Sequence, residues 1–286
     1  MINDLTREIT EETLSCFALS KNDSYLMSAS RGKLSLYNLL TFKTMTTIMP
    51  PPPVATCVAF YPQDNNAVAI GMDDSTIIIY SFHLAKVISK LESHSQPVTG
   101  LAFSNILKVL VSSGADAQIV LWNVDGWGKQ KSRSLKFPPI KKITGTFSDT
   151  FIQFHQDQTH FLIVHDTHLA IYEAKNLQRV KQWVPGNSTS ISHATFSSDS
   201  QIVYACFMDG TISIFDASNL ELHCQIASTE NLHPSSSSSN VYPCVTAAHP
   251  QKPTQFAVGL TDGGVIVLEP PKPGGKWGYA AAIVAR

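Results

Sequence analysis

The chain has 286 residues, with 21 Lys and Arg against 22 Asp and Glu and a formal net charge of −1. So even a balance gives no global field that would draw in DNA or an anionic membrane. No run of about 18 apolar residues is present, which predicts no helical span of a bilayer, and the polar opening MINDLTREITEE reads as no secretory leader.

In chain order, the sequence is one short unit repeated. The unit is a turn residue, alternating apolar residues, then a bulky residue six places after the turn. It occurs as Arg31-GKLSL-Tyr37, Asp74-STIII-Tyr80, Asp116-AQIVL-Trp122, Asp166-THLAI-Tyr172, Asp209-GTISI-Phe215 and Asp262-GGVIV-Leu268. Alternation in period two, as at Leu34 and Leu36 or Ile77 and Ile79, is a strand signal and not a helix signal. Asp before Gly or another small residue signals a tight turn, because an Asx side chain bonds its own backbone and Gly accepts positive φ. Five of the six copies open with Asp.

A second strand is predicted before each turn, as at Tyr25–Ser28, Ala67–Ile70 and Val109–Ser112. Another precedes it, in CFALS, CVAFYP, LAFS, IQFHQD, ATFSSD and VTAAHP. A more polar stretch follows the bulky residue, as in FKTMTTI, AKVISKL, LQRVKQW and LELHCQI. Recurrence at intervals of forty to fifty-odd residues marks a propeller of four-stranded blades. The predicted fold class is all-β, a β-propeller with six recognisable blades over residues 13–270. Residues 1–12 form an N-terminal segment and 271–286 a C-terminal tail. Apolar inner strands would pack near the shaft, and charged outer strands would face water and resist edge pairing.

Pro270, Pro271 and Pro273 block an immediate outer strand for the sixth unit. Leu5–Ile9 is the favoured donor of that strand, as a closing clasp, and Ala280–Val284 is its rival. A six-blade ring either closes under strain at each wedge or stays open with two exposed edges. Cys16, Cys57, Cys206, Cys224 and Cys244 are scattered and read as small core residues in a reducing compartment.

One unit carries more. His94, Ser112, Asp116 and Trp122 occupy the places of the Asp-His-Ser-Trp hydrogen-bonded tetrad of WD40 blades. A buried polar chain is tolerated only when every member is satisfied, so the expected role is structural. His155, His160, His165 and His168 cluster in sequence, but the strand pattern places His155 and His165 at opposite ends of a blade. They read as turn or surface histidines and not as a zinc site. Residues 126–148 carry Lys129, Lys131, Arg133, Lys136, Lys141 and Lys142 with no acid before Asp149. That run reads first as a solvated outer strand and loop. NLHPSSSSSNVYP, near 229–243, has a composition that cannot bury a core.

No nucleophile elbow, phosphate loop or paired-carboxylate motif is present, so no catalytic residue, cofactor, metal or small-molecule substrate is expected. The residue before each turn, Ser30, Asp73, Ala115, His165, Met208 and Thr261, would lie on one rim. There a protein partner could meet several blades at once.

The strings ALSKNDSYLMSAS, TFKTMTTIMPPPP, PQDNNAVAIGMDDSTI, LAFS followed by VLVSSGADAQI, and FAVGLTDGGV resemble the Topless and Topless-related corepressors of plants. The resemblance covers roughly residues 13–278 and is to the second of the family's two WD40 propellers. It implies a nuclear protein; without it the chain reads as cytoplasmic. It also implies partners among transcription factors or repression-complex components, recruitment often through EAR-type motifs, and delivery of histone deacetylase activity. Direct nucleic-acid binding is not expected. The family's LisH/CTLH domain, which captures EAR motifs, and its first propeller have no counterpart in these residues. Its second propeller has seven blades where six units are countable here, and the tail YAAAIVAR differs. These departures imply a truncated member, and EAR binding carries over to no residue. The competing reading is a generic WD40 adaptor such as a ubiquitin-ligase substrate receptor or scaffold, since fold does not fix function.

Overall fold

The computed structural model describes residues 14–30, 33–48, 54–136, 150–186, 189–226, 241–269 and 278–279. Blade one is Leu14–Leu19 (β1), Tyr25–Ser30 (β2), Lys33–Asn38 (β3) and Lys43–Ile48 (β4). Blade two is Ala55–Phe60 (β5), Ala67–Met72 (β6), Thr76–Ser81 (β7) and Lys86–Glu92 (β8). Blade three is Val98–Ser104 (β9), Val109–Gly114 (β10), Gln118–Asn123 (β11) and Lys129–Ser134 (β12). Blade four is Phe151–Phe154 (β13), His160–His165 (β14), His168–Glu173 (β15) and Gln178–Trp183 (β16). Blade five is Ile191–Phe196 (β17), Ile202–Phe207 (β18), Ile212–Asp216 (β19) and Leu222–Ile226 (β20). Blade six is Pro243–Ala248 (β21), Phe256–Leu260 (β22), Val265–Glu269 (β23) and Gly278–Tyr279 (β24). Each blade is an antiparallel meander in chain order, and the described residues hold no helix.

The recurring Asp has a local cause. Asp74, Asp116, Asp209 and Asp262 each accept, at Oδ1, the N–H two residues on, at 2.9–3.1 Å. The residue between is left-handed: Ser75 at φ 74, Ala117 at 58, Gly210 and Gly263 at 87. That side-chain bond turns the chain from the second strand into the third.

The bulky residue that ends each unit also has one position. It closes a cross-strand row: Phe60–Val68–Tyr80, Phe103–Leu110–Trp122, Phe154–Phe161–Tyr172 and Phe196–Val203–Phe215. The row faces the preceding blade. Trp122 packs with Ile77 and Ile79 of blade two, Tyr172 with Ile119 and Leu121 of blade three, and Phe215 with Leu169 and Ile171 of blade four. Two further clusters fill the seams between blades one and two and between blades five and six. Side chains also cross seams to backbone: Thr56 Oγ1 donates to Val98 O at 2.5 Å, Ser113 Oγ to Thr150 O at 2.8 Å and Ser192 Oγ to Pro243 O at 2.6 Å.

Five seams are thus filled. Among the described residues no core cluster joins blade six to blade one. The corresponding row of blade one is Leu19–Leu26–Tyr37. Its Leu19 is 51% exposed where Phe60, Phe103 and Phe196 are 6%, 7% and 2%. On the far face of blade six, Val245 and Val265 are 47% and 42% exposed.

One expectation is corrected here. β24 pairs with β23 through Leu268–Tyr279 and Glu269–Gly278, so the edge of β23 is taken from the chain's own C-terminal side. Past the prolines, the nearest donor in the chain is the following segment, and part of the stretch expected as a tail belongs to the blade. Residues 5–9 and 280–284 lie outside the described residues.

The seam asymmetry has a measurable consequence. Phe60→Ala removes a buried ring and is expected to cost about 3 kcal/mol, whereas Leu19→Ala in the same row should cost under about 1 kcal/mol. Urea unfolding midpoints of the two variants check this.

Candidate functional site

Blade three carries a buried polar chain at its entry. Trp122 Nε1–H donates to Ser112 Oγ at 2.9 Å, Ser112 Oγ lies 2.8 Å from His94 Nε2, and His94 Nδ1 lies 3.1 Å from Asp116 Oδ1. A carboxylate only accepts, so Nδ1 carries the proton and Nε2 accepts the Ser112 hydroxyl. Asp116 also takes the N–H groups of Ser95 and Gln118, at 2.9 and 3.1 Å. Burial holds the His94 pKa below its ordinary value against the opposing pull of Asp116, which favours the neutral ring this chain requires.

These groups have the atom order of a Ser-His-Asp nucleophile system, and their surroundings remove that chemistry. Ser112 is 0% exposed and its oxygen already receives the indole N–H. A substrate carbonyl has no path to it, so the arrangement serves as a clasp. It ties the segment between β8 and β9 to β10 and β11.

Gly114 belongs to the clasp, and sequence reasoning passed over it. A Cβ there would sit 2.6 Å from both Asp116 Oδ1 and His94 Nδ1. The available signal was a glycine ending a strand of otherwise bulkier residues, two places before the turn Asp.

The six rim residues all stand where β2, β6, β10, β14, β18 and β22 end or turn, at one end of the blades. Four are stitched to the segment entering their own blade. The N–H groups of Asp73, Ala115, Met208 and Thr261 donate to the carbonyls of Val54, Pro97, Ser190 and Tyr242 at 2.8–3.0 Å. Asp73 Oδ1 accepts from Val54 N–H at 2.8 Å and Thr261 Oγ1 from Tyr242 N–H at 3.2 Å. Met208 presents an apolar side chain, 50% exposed. Ser30 is half-buried, and Ala115 offers only a methyl group.

The histidines divide by blade end. His155 and His160 flank Asp157 at 3.2 and 2.7 Å on the partly exposed first turn. At the other end His165 and His168 are buried at 6% and 1%, with ring centroids 5.3 Å apart. The reading of all four as turn or surface residues is corrected for these two: they end β14 and begin β15, strands buried on both faces. Burial first, then His165 and Arg179, push the His168 pKa from 6.5 to about 4, against Asp166. None of the five cysteines forms a disulfide among the described residues; Cys206 is buried, while Cys244 is exposed and so departs from the expected core role.

At the end opposite the rim lies a cavity of about 530 Å³ lined by Leu19, Phe60, Phe103 and Ile106, with Lys21 and Gln158 among its polar groups. Gln158 O accepts from Ser104 Oγ at 2.6 Å, which fixes the turns of blades three and four to each other. Its sequence signal was the Phe recurring in CVAFYP and LAFS.

The family model for the WD domain, G-beta repeat, matches residues 85–123 and 178–216. Each match runs from one blade's outer strand through three strands of the next, β8–β11 and β16–β19. Topless-related protein 1 of Arabidopsis thaliana is 59% identical over 281 residues, 98% of this chain and 25% of that protein. Protein TPR3 of Oryza sativa subsp. japonica is 61% identical over 279 residues, 97% of this chain and 24% of its own length. The chain belongs to the Topless-related family. It spans about a quarter of the length of these relatives. Among solved structures, U3-55K superposes with a TM-score of 0.75 at 14% identity, covering 95% of this chain and 82% of that one. The WD40 repeats of RRP9 superpose with a TM-score of 0.75 at 15% identity. At such identity these two show the fold alone, and they place this Topless-related chain among WD40 propellers.

Two outcomes are expected. Trp122→Phe should destabilise by about 1–3 kcal/mol, because it leaves the Ser112 oxygen without its buried donor; thermal or urea unfolding reads this directly. His168 has a folded pKa near 4 below its ordinary 6.5, so its contribution is present above 6.5 and lost as pH falls toward 4. The melting midpoint should drop across that window, and His168→Gln should flatten the drop.

Proposed function

We propose that the chain is a non-catalytic protein-interaction propeller of a Topless-related transcriptional corepressor, acting in the nucleus in repression of transcription. The observation that carries this reading is identity of 59–61% sustained over 97–98% of the chain. Its partners in this reading are transcription factors or repression-complex components, and the working unit is the propeller from β1 through β24.

The mechanism is rigid presentation. A binding surface made of turns loses entropy on docking unless the turns are already fixed. Here the bonds from Asp73, Ala115, Met208 and Thr261 to the entering segments fix both sets of loops at the rim end. Met208, with its exposed side chain, and Asp73 are the contact residues of choice. A buried His165 acts through the shape of its turn and not through its ring.

The test is affinity capture from plant nuclear extract with the tagged chain and with Met208→Asp. Recovery of repression-complex components by the parent chain, reduced roughly tenfold in the variant at unchanged melting midpoint, is the expected result. Recovery of ubiquitin-ligase subunits without any repressor component would overturn the reading in favour of an adaptor of another class.

A further inference from the structure

The outer strands of the blades differ in charge. β20 holds no Lys or Arg, β4 holds Lys43, and β8 holds Lys86 and Lys90, the second paired with Glu92 at 2.9 Å. β12, by contrast, reads KQKSRS and is exposed along its whole length. β16 adds Arg179 and Lys181. No cation of β12 or β16 forms an ion pair among the described residues.

Strand register aims three of these cations at one groove. Lys131 and Arg133 pair with Leu121 and Ile119, which face blade four. Arg179 pairs with Tyr172, which faces blade three. A register shift between Leu121 and Trp122 turns Lys129 the other way, where its Nζ donates to Ser93 Oγ at 2.7 Å. Arg133 Nη1 donates to Leu177 O at 2.8 Å, so its guanidinium is held across the seam with further donors unspent. Burial raises the pKa of the Tyr172 hydroxyl, and Arg179 and Arg133 oppose that rise.

The geometry points to this groove between β12 and β16 as the docking site of an extended acidic segment of a partner protein. β12 is the end strand of its sheet, so its outward backbone groups can receive an added strand. Side chains two residues apart on an extended chain lie roughly 6.7 Å apart, so carboxylates at alternate positions follow Lys131 and Arg133. Arg pairs with carboxylate in a fixed two-bond geometry. A nucleic acid fits less well. Single strands are held by exposed aromatic faces, and Tyr172 is 3% exposed. The net charge of −1 supplies no wider field for a polyanion. Edge lysines that merely prevent sheet-to-sheet pairing would not need to converge on one groove. This site is separate from the rim and stands whether or not the rim contacts a corepressor partner.

The test is fluorescence anisotropy with a labelled peptide of about a dozen residues alternating Glu and Thr, its Gln counterpart, and an oligothymidylate of similar length. The chain is used as parent, Lys131→Glu, Arg179→Glu and the control Lys43→Glu, each with its melting midpoint. Expected are salt-sensitive binding of the Glu peptide only, a loss of roughly tenfold in each groove variant, and no change in the control. Absence of binding by the Glu peptide, equal binding by the groove variants, or tighter binding of the oligothymidylate would each overturn the proposal.

Discussion

The structure depends on the packing of each blade's leading face against the blade before it. A four-stranded meander is apolar on two faces and cannot stand alone in water. Each seam therefore needs a continuous row of large side chains at fixed register. The bulky residue six places after each turn is the last member of that row. Tyr80, Trp122, Tyr172, Phe215 and Leu268 each lie in the cluster shared with the preceding blade. Their chemistry varies because the seam asks mainly for apolar volume. Trp appears where its N–H has a buried acceptor, Ser112 Oγ, which otherwise would carry a desolvation cost.

The same constraint explains where the described propeller is weakest. Tyr37 ends the row of blade one, yet no described blade covers it, and Phe17 and Leu19 are 62% and 51% exposed. Exposed apolar sheet face of this kind is a site of low local stability and of association. Blade three is the opposite case. Cores on both sides, a complete clasp and the bonds from Ser113 and Ser104 into blade four make it the best-anchored unit.

Function follows from what this scaffold leaves at its surface. Turn chemistry consumes the Asp residues of the repeated unit: Asp74, Asp116, Asp209 and Asp262 spend Oδ1 on their own backbones. The clasp likewise spends its Ser, His and Asp on one another. The surface is left with fixed loops at the rim and cations on the outer strands of blades three and four, the equipment of a protein that binds.

Period and alternation in the sequence were enough to determine the blade count, strand order and turn positions. These depend on local repetition, since an Asx turn and a two-residue alternation are complete within a few neighbours. Family membership was legible too, because long strings outside the repeat pattern carry it. What tertiary structure alone decided rests on neighbours distant in the chain. Neighbouring blades cover both faces of β14 and β15, and so bury His165 and His168. The side chains of His94 and Asp116, closing on Gly114, left no room for a Cβ. Convergence of Lys131, Arg133 and Arg179 on one groove requires two blades to be set side by side. The donor at the edge of β23 was settled in the same way: sequence offered two candidate strands, and only the pairing of Leu268 with Tyr279 placed the C-terminal side of the chain on that edge.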